Sequence, residues 1–129
     1  MNMELKIADQ SNHGPVYDLE ERSFQFALAV RRCLSEVKWN REQWTDVDQL
    51  LRSPGSVAAN YIEANNAVSK PDFLFRLRIA KKEASESCLW LRLLAVTTKA
   101  PPIQLILQNL HKECDELTRI LATILRKSI

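Results

Sequence analysis

The fold is decided by the stretch "VSKPDFLFRLRIAKKEASESCLWLRLL", residues 68–94, which joins a helix start signal to a long apolar repeat. Ser69 can cap the helix with its hydroxyl, Pro71 fits the first turn because its missing N–H needs no partner there, and Asp72 suits the positive end of the helix dipole. The spacing that follows alternates between three and four residues and predicts a helix over about residues 70–98. Its repeating positions are Phe73, Leu77, Ala80, Ala84, Ser87, Leu91 and Leu94.

Three further apolar repeats predict helices over about residues 18–37, 45–66 and 102–127. No segment alternates with the two-residue period of a strand, and short joints separate the four helices. We therefore predict an all-α, antiparallel, up-and-down four-helix bundle over residues 17–129, preceded by a flexible tail over residues 1–16. The repeat of the last helix consists of Ile103, Leu107, Leu110, Cys114, Leu117, Leu121 and Ile124.

The first two helices carry start signals, and the second contains a proline. Asp18 can cap the first helix, and Thr45 with Asp48 resembles a capping box at the start of the second. Pro54 removes one helical hydrogen bond and costs about 3 kcal/mol unless the helix bends. Because the apolar period continues through Gly55, we expect one helix that is kinked near Pro54 rather than two separate helices.

The composition is that of an ordinary globular protein. The 129 residues are 46% hydrophobic and 26% charged, and they include only two glycines, which argues against an all-β fold. The net charge of +2 excludes a general polycation but not a local basic surface. Three widely spaced cysteines favour reduced thiols, and neither a secretory signal nor an apolar run of about 18 residues occurs. We expect a cytoplasmic protein without a membrane association.

A catalytic or metal site is not expected from the sequence. The two histidines are His13, in the predicted tail, and His111, and no nucleophile elbow, phosphate-binding glycine loop or dinucleotide motif is found. His111 and Cys114 are three residues apart and could share a metal, but Cys114 belongs to the apolar repeat. We therefore predict no metal and no cofactor.

Three glutamates could still provide a carboxylate pair for acid–base chemistry: Glu63, Glu83 and Glu86. Ion pairing of the last two with basic residues of their own helix is the simpler interpretation. We predict a protein that is not an enzyme.

Basic residues are concentrated on the third helix and suggest contacts with nucleic-acid phosphates. A solvated helix surface balanced by glutamates is the competing interpretation, and composition alone favours it. The candidate nucleic-acid-binding residues are Arg76, Arg78, Lys81, Lys82 and Arg92, with Arg31 and Arg32 of the first helix as second choices.

The second helix carries a polar face, on which Ser56, Asn60 and Glu63 lie at helical spacing within "SVAANYIEANN", residues 56–66. Buried polar groups cost stability unless they find partners, so we expect a structural polar network with the third helix that fixes helix register. Arg76, Lys82 and Ser85 are its candidate partners. Alternatively, Asn60 and Glu63 face a ligand or a subunit boundary.

The end of the third helix, "CLWLRLLAV", is apolar nearly all round, which predicts a second covered surface. The alternative function is therefore a protein–protein interaction module that presents this surface to a partner. Its anchors would be Trp90, Leu93 and Leu94.

Two segments together, "SVAANYIEANN" and "KPDFLFRLRIAKKEASESCLWLRLL", resemble the four-helix-bundle family first known from intervening sequences of bacterial 23S ribosomal RNA genes. Members carry stretches like S-V-x-x-N-I-A-E-G and D-F-x-x-F-L-x-I-A-x-G-S-x-x-E. Ala64 stands where the first motif has glycine, "KKE" replaces the glycine–serine pair of the second, and Pro54 interrupts the second helix. The positions that match are Ser56, Val57, Asn60, Glu63, Pro71, Asp72, Phe73, Ile79, Ala80 and Glu86.

The resemblance implies an up-and-down bundle that assembles into a cyclic homopentamer and has no established enzymatic activity. A related bundle, the accessory variability determinant of diversity-generating retroelements, is a pentamer that binds nucleic acid and a reverse transcriptase. By similarity, the chain is expected to be an RNA- or DNA-associated accessory protein.

Overall fold

The computed structural model describes residues 18–129, and the predicted tail over residues 1–16 lies outside them. The described chain forms four α-helices and no strand, which confirms the predicted all-α bundle. A 3₁₀ turn, Arg41–Gln43, precedes the second helix. The helices are α1 (Leu19–Ser35), α2 (Trp44–Asn65), α3 (Lys70–Thr97) and α4 (Pro101–Ser128).

Side-chain caps define the starts of α1 and α3. The Asp18 carboxylate accepts the backbone N–H of Glu20 at 3.0 Å, and the Ser69 hydroxyl accepts that of Asp72 at 3.2 Å. Each cap satisfies one of the N–H groups that a helix start leaves without a partner, so both local predictions are confirmed.

The start of α2 differs from the prediction. A capping box forms five residues earlier, where Asn40 and Gln43 exchange side-chain to backbone hydrogen bonds at 3.1 and 3.2 Å. The predicted box of Thr45 and Asp48 is wrong, because the 3₁₀ turn runs directly into α2 and both residues already lie within the helix. The helix does continue through Pro54, as the uninterrupted apolar period indicates.

The core is made by the predicted apolar repeats. Packing is most extensive between α2 and α3 and between α3 and α4, while α1 packs on α2 and more lightly on α4. The apolar repeats of α3 and α4 are buried along their middle turns. They become partly exposed at their ends, at Phe73 of α3 and at Ile103 and Ile124 of α4. Short connections between successive helices produce the up-and-down order. The leucines buried to at least 99% are Leu50, Leu77, Leu91, Leu94, Leu107, Leu117 and Leu121.

An ion-pair cluster ties α1 to α4 at their lighter contact. The Arg22 guanidinium donates to both carboxylate oxygens of Glu113 at 2.8 Å and lies 3.0 Å from Glu116. These hydrogen bonds raise the pKa of Arg22 above its already high ordinary value, so its charge is permanent. Such a two-point contact restricts the orientation of both helices.

None of the four helices between residues 18 and 129 combines the length and the apolar character needed to cross a lipid bilayer.

Candidate functional site

The five predicted basic residues of α3 do not lie on a single surface. Arg78 and Lys82 are exposed on the outer face of the helix. Lys81 and Arg92 are eleven residues apart, a spacing that places them together on the side of α3 that faces α4. Arg76 is turned toward α2, where its Nη1 donates to Asn60 Oδ1 at 3.4 Å.

Four of these five side chains have no carboxylate partner among the residues that the structure describes. Within residues 18–129, ion pairs form at Arg22, Arg52, Arg76 and Arg119. Two glutamates that could have paired with these cations are used elsewhere, because Glu83 pairs with Arg52 of α2 and Glu113 with Arg22 of α1. Glu86, one turn after Lys82, forms no ion pair within residues 18–129, so the exposed side of α3 keeps more positive than negative charges. The unpaired residues are Arg78, Lys81, Lys82 and Arg92.

An exposed aromatic ring lies beside Arg78 and Lys82, which we call the basic face of α3. Phe75 is 56% exposed and precedes Arg78 by three residues and Lys82 by seven, which places all three on one side of α3. The Arg76 guanidinium lies 5.7 Å from the centre of the Phe75 ring, within cation–π distance. Aromatic rings among cations are typical of surfaces on which unpaired bases stack.

The two second-choice nucleic-acid-binding residues of α1, Arg31 and Arg32, differ in their contacts. Arg32 is exposed, whereas Arg31 reaches α2 and its Nη2 donates to the Leu51 carbonyl oxygen at 3.4 Å. A Cβ at Gly55 would lie 3.1 Å from that nitrogen, so the small residue leaves room for the guanidinium. Arg31 therefore supports α2 next to Pro54, where the helix lacks one backbone hydrogen bond.

The predicted polar face of α2 divides into two parts. Asn60 Nδ2 donates to the Ser56 carbonyl oxygen at 2.9 Å and to its hydroxyl at 3.2 Å, and Asn60 Oδ1 accepts from Arg76. The Glu63 side chain is exposed, and its carboxylate makes no hydrogen bond or ion pair within the described chain. Of the three expected partners, Arg76 contacts this network, while Lys82 and Ser85 lie on the exposed side of α3.

Sequence reasoning missed the two polar contacts that lie deeper between α2 and α3. The Ser53 and Ser87 hydroxyls, both fully buried, are 2.7 Å apart. The nearly buried Glu83 carboxylate accepts from Arg52 Nη1 at 2.8 Å, which corrects the expected pairing within α3. A signal was available for Ser87, because it is the polar member of the apolar repeat of α3.

His111 and Cys114, the pair weighed as metal ligands in the sequence, belong to no cluster of three metal ligands within residues 18–129. The Cys114 thiol is buried and donates to the Ala84 carbonyl oxygen at 3.1 Å, and the neighbouring Cys88 thiol together with burial raises its pKa above the ordinary value. No three His, Cys, Asp or Glu side chains of residues 18–129 come together to bind a metal ion.

The apolar surface at the end of α3 is only partly the one expected. Leu94 is fully buried and cannot anchor a partner, which corrects that assignment. Leu89 and Leu93 remain 49% and 40% exposed. Trp90 packs against the core, and its indole N–H is inaccessible to solvent without a hydrogen-bond partner among the described residues. We call Leu89 and Leu93 the apolar patch.

Comparison with known proteins identifies relatives of the same architecture. The family model of the 23S rRNA-intervening sequence proteins matches residues 17–123. A crystal structure from the S23 ribosomal protein family of Bacteroides thetaiotaomicron, a protein of unknown function, is 30% identical and superposes with a TM-score of 0.72. The match covers 83% of this chain and 97% of that one. No curated protein matches the sequence.

Proposed function

The chain belongs to the family of 23S rRNA-intervening sequence proteins, and from this membership we propose that it is a non-enzymatic, oligomeric accessory protein that associates with RNA or DNA in the cytoplasm. One observation carries the nucleic-acid assignment. Four cations of α3 lack a carboxylate partner within the described chain, whereas Arg22 and Arg52 pair with carboxylates of other helices. Unpaired cations on a rigid helix can neutralise phosphates without first breaking an internal ion pair.

The exposed Phe75 ring supports the same proposal. Its position beside Arg78 and Lys82 offers an aromatic surface to a base while the two cations contact the backbone phosphates on either side. The sequence-based expectation is that Arg76 contacts phosphates directly. Its guanidinium instead contacts Asn60 and Asp72 and lies beside the Phe75 ring, so Arg76 contributes by orienting that region.

Charge reversal tests the interface. We expect Arg78→Glu combined with Lys82→Glu to weaken binding of a fluorescent mixed-sequence RNA at least tenfold in anisotropy titrations. The plot of log affinity against log salt concentration should become less steep by about 1.5, because two phosphate contacts are lost. The control is Lys38→Glu with Arg41→Glu, an equal charge change at exposed positions of the α1–α2 connection. Equal weakening by both pairs would contradict the assignment of the α3 face.

Self-association is the second part of the proposal. The apolar patch, Leu89 and Leu93, lies on the outer side of α3 and is only about half covered by the other described residues. Contact with further copies would cover it, and the resemblance to the family implies five. Native mass spectrometry should give a multiple of the 14.9 kDa chain mass. Leu93→Asp should shift that mass to the monomer, whereas Leu105→Asp, at an exposed leucine of α4, should not.

A protein–protein interaction module is the alternative function, and the same patch favours it. If the wild-type protein is a monomer at micromolar concentration, self-association is refuted and Leu89 and Leu93 are left to bind a different protein. Co-purifying nucleic acid that high salt removes would favour the accessory protein, and its absence would favour the alternative.

A further inference from the structure

A groove with a volume of about 350 Å³ lies between the C-terminal half of α3 and the first half of α4. Its α3 wall is formed by Arg92, Ala95 and Val96. The opposite wall is held in place, because Gln104 Nε2 donates to the Ala95 carbonyl oxygen at 2.8 Å across the groove. The groove is therefore a fixed feature of the α3–α4 packing.

The groove is basic, and none of the described carboxylates lines it. Arg92 projects from α3 and Lys112 from α4, and neither forms an ion pair within residues 18–129. His111 and the amides of Gln104 and Gln108 complete the polar lining. This combination offers cationic groups for an anion and hydrogen-bonding groups that can read a neutral ring.

Most of the accessible lining is nevertheless carbon. Ala95, Val96 and the aliphatic stems of the longer side chains provide it. An apolar floor with cations at its rim suits a ligand that has a flat, weakly polar body and an attached phosphate. The volume is near the lower end for small-molecule pockets, which is enough for one nucleotide and too little for a helix of a protein partner.

We propose that this groove binds one unpaired nucleotide of a single-stranded nucleic acid, with the flanking phosphates at Arg92 and Lys112. The inference rests on the proposed function and specifies the form of its ligand. Arg78 and Arg92 are separated by about 20 Å along α3, so a strand of several nucleotides can follow the helix from the exposed basic face into the groove. A duplex reaches the rim cations only, because its paired bases cannot enter.

The test compares one groove variant with a neighbouring control. Gln108→Glu introduces a carboxylate into the groove with no change in size, and Asn109→Asp introduces the same charge one residue away, on a different side of α4 and outside the groove. Both positions are exposed, so neither variant should disturb folding. The probes are a fluorescent 16-nucleotide RNA of mixed sequence, the DNA of the same sequence, and each strand annealed to its complement.

We expect the wild-type protein to bind the single strands at least tenfold more tightly than the duplexes. Gln108→Glu should weaken single-strand binding at least fivefold relative to Asn109→Asp and change duplex binding less than twofold. Equal affinity for single strands and duplexes, or equal effects of the two variants, overturns the groove and leaves the α3 basic face as the binding surface. No binding of either probe overturns the groove together with the proposed function.

Discussion

The buried serine pair between α2 and α3 allows a prediction in which two similar mutations have unequal costs. Ser87 Oγ lies 2.8 Å from the Glu83 carbonyl oxygen and 2.7 Å from Ser53 Oγ. A carbonyl oxygen only accepts, so the single Ser87 proton is used there, and Ser53 must donate to Ser87. Ser53 is therefore the donor at the interface, and Ser87 is both its acceptor and a donor to its own helix.

The two alanine substitutions differ in the group they leave behind. Ser53→Ala removes one neutral hydrogen bond, worth about 0.5–1.5 kcal/mol, and leaves Ser87 still donating to Glu83. Alanine recovers a few tenths of a kcal/mol through helix propensity, so the net loss should be about 0.5 kcal/mol. Ser87→Ala leaves the Ser53 hydroxyl buried without an acceptor, which costs about 1–3 kcal/mol.

The double variant completes the cycle. With both hydroxyls removed no buried polar group is left unsatisfied, so the loss should be close to that of Ser53→Ala alone. The coupling energy then equals the cost of Ser87→Ala in magnitude, about 1–3 kcal/mol. Urea unfolding followed by far-UV circular dichroism measures each difference, provided that the slope with denaturant is the same for all variants. Ser85→Ala, at an exposed serine of α3, measures the propensity gain alone.

Equal losses for Ser53→Ala and Ser87→Ala would refute this reasoning. They would mean that Ser53 can turn its proton to a carbonyl of its own helix, so that the pair does not couple α2 to α3. Additive losses in the double variant would lead to the same conclusion.

Three further predictions concern the ion pair of α1 and the thiols. Arg22→Gln should lower the free energy of unfolding by about 1–2 kcal/mol because it breaks the α1–α4 contact. Arg32→Gln, at an exposed arginine of α1, should change the free energy of unfolding by less than about 0.5 kcal/mol in the same urea assay. Similar losses for the two variants would contradict the structural role of Arg22. Cys88 should react faster with iodoacetamide than Cys33 or Cys114, because the neighbouring Cys114 thiol lowers the pKa of Cys88 while the pKa values of the other two are raised. Peptide mass spectrometry at short times would show the reverse order if this is wrong. Burial raises the pKa of Cys33 in the folded state above that of the unfolded chain, about 8.5. The contribution of the protonated Cys33 thiol to stability is therefore complete below about pH 8.5 and is lost as the pH rises. Cys33→Ala should lose less stability than the wild type between about pH 8.5 and 10. Parallel curves for the two proteins would show that Cys33 does not titrate in this way.

The helices and the core could be predicted because their causes are local. The caps of Asp18 and Ser69 act within three residues, and the apolar spacing of α3 and α4 identifies the face that must leave water. The continuous helix through Pro54 was predictable for the same reason, because the apolar period persists beyond the proline. The misplaced capping box shows the limit, because Thr45 with Asp48 fits the box pattern locally, and only the structure shows that a 3₁₀ turn capped by Asn40 and Gln43 precedes α2.

The interhelical partners depend on the tertiary structure. Glu83 binds Arg52 across 31 residues of sequence, and Ser53 meets Ser87 across 34. Each residue turns a helix by about 100°, so a small change in the rotation of either helix would replace one neighbour with another. The periodicity of one helix contains no information on that rotation.

The candidate sites were also predictable in their residue types but not in their contacts. Their residue types were visible in the sequence as a basic helix, a polar face and an apolar end. The tertiary structure decided that Arg76 supports the bundle while Arg78 and Lys82 stay unpaired, and that Leu93 is exposed while its neighbour Leu94 is buried. The physical reason is that local chemistry determines which side chains must leave water, whereas the packing of three other helices determines which of the remaining side chains find partners.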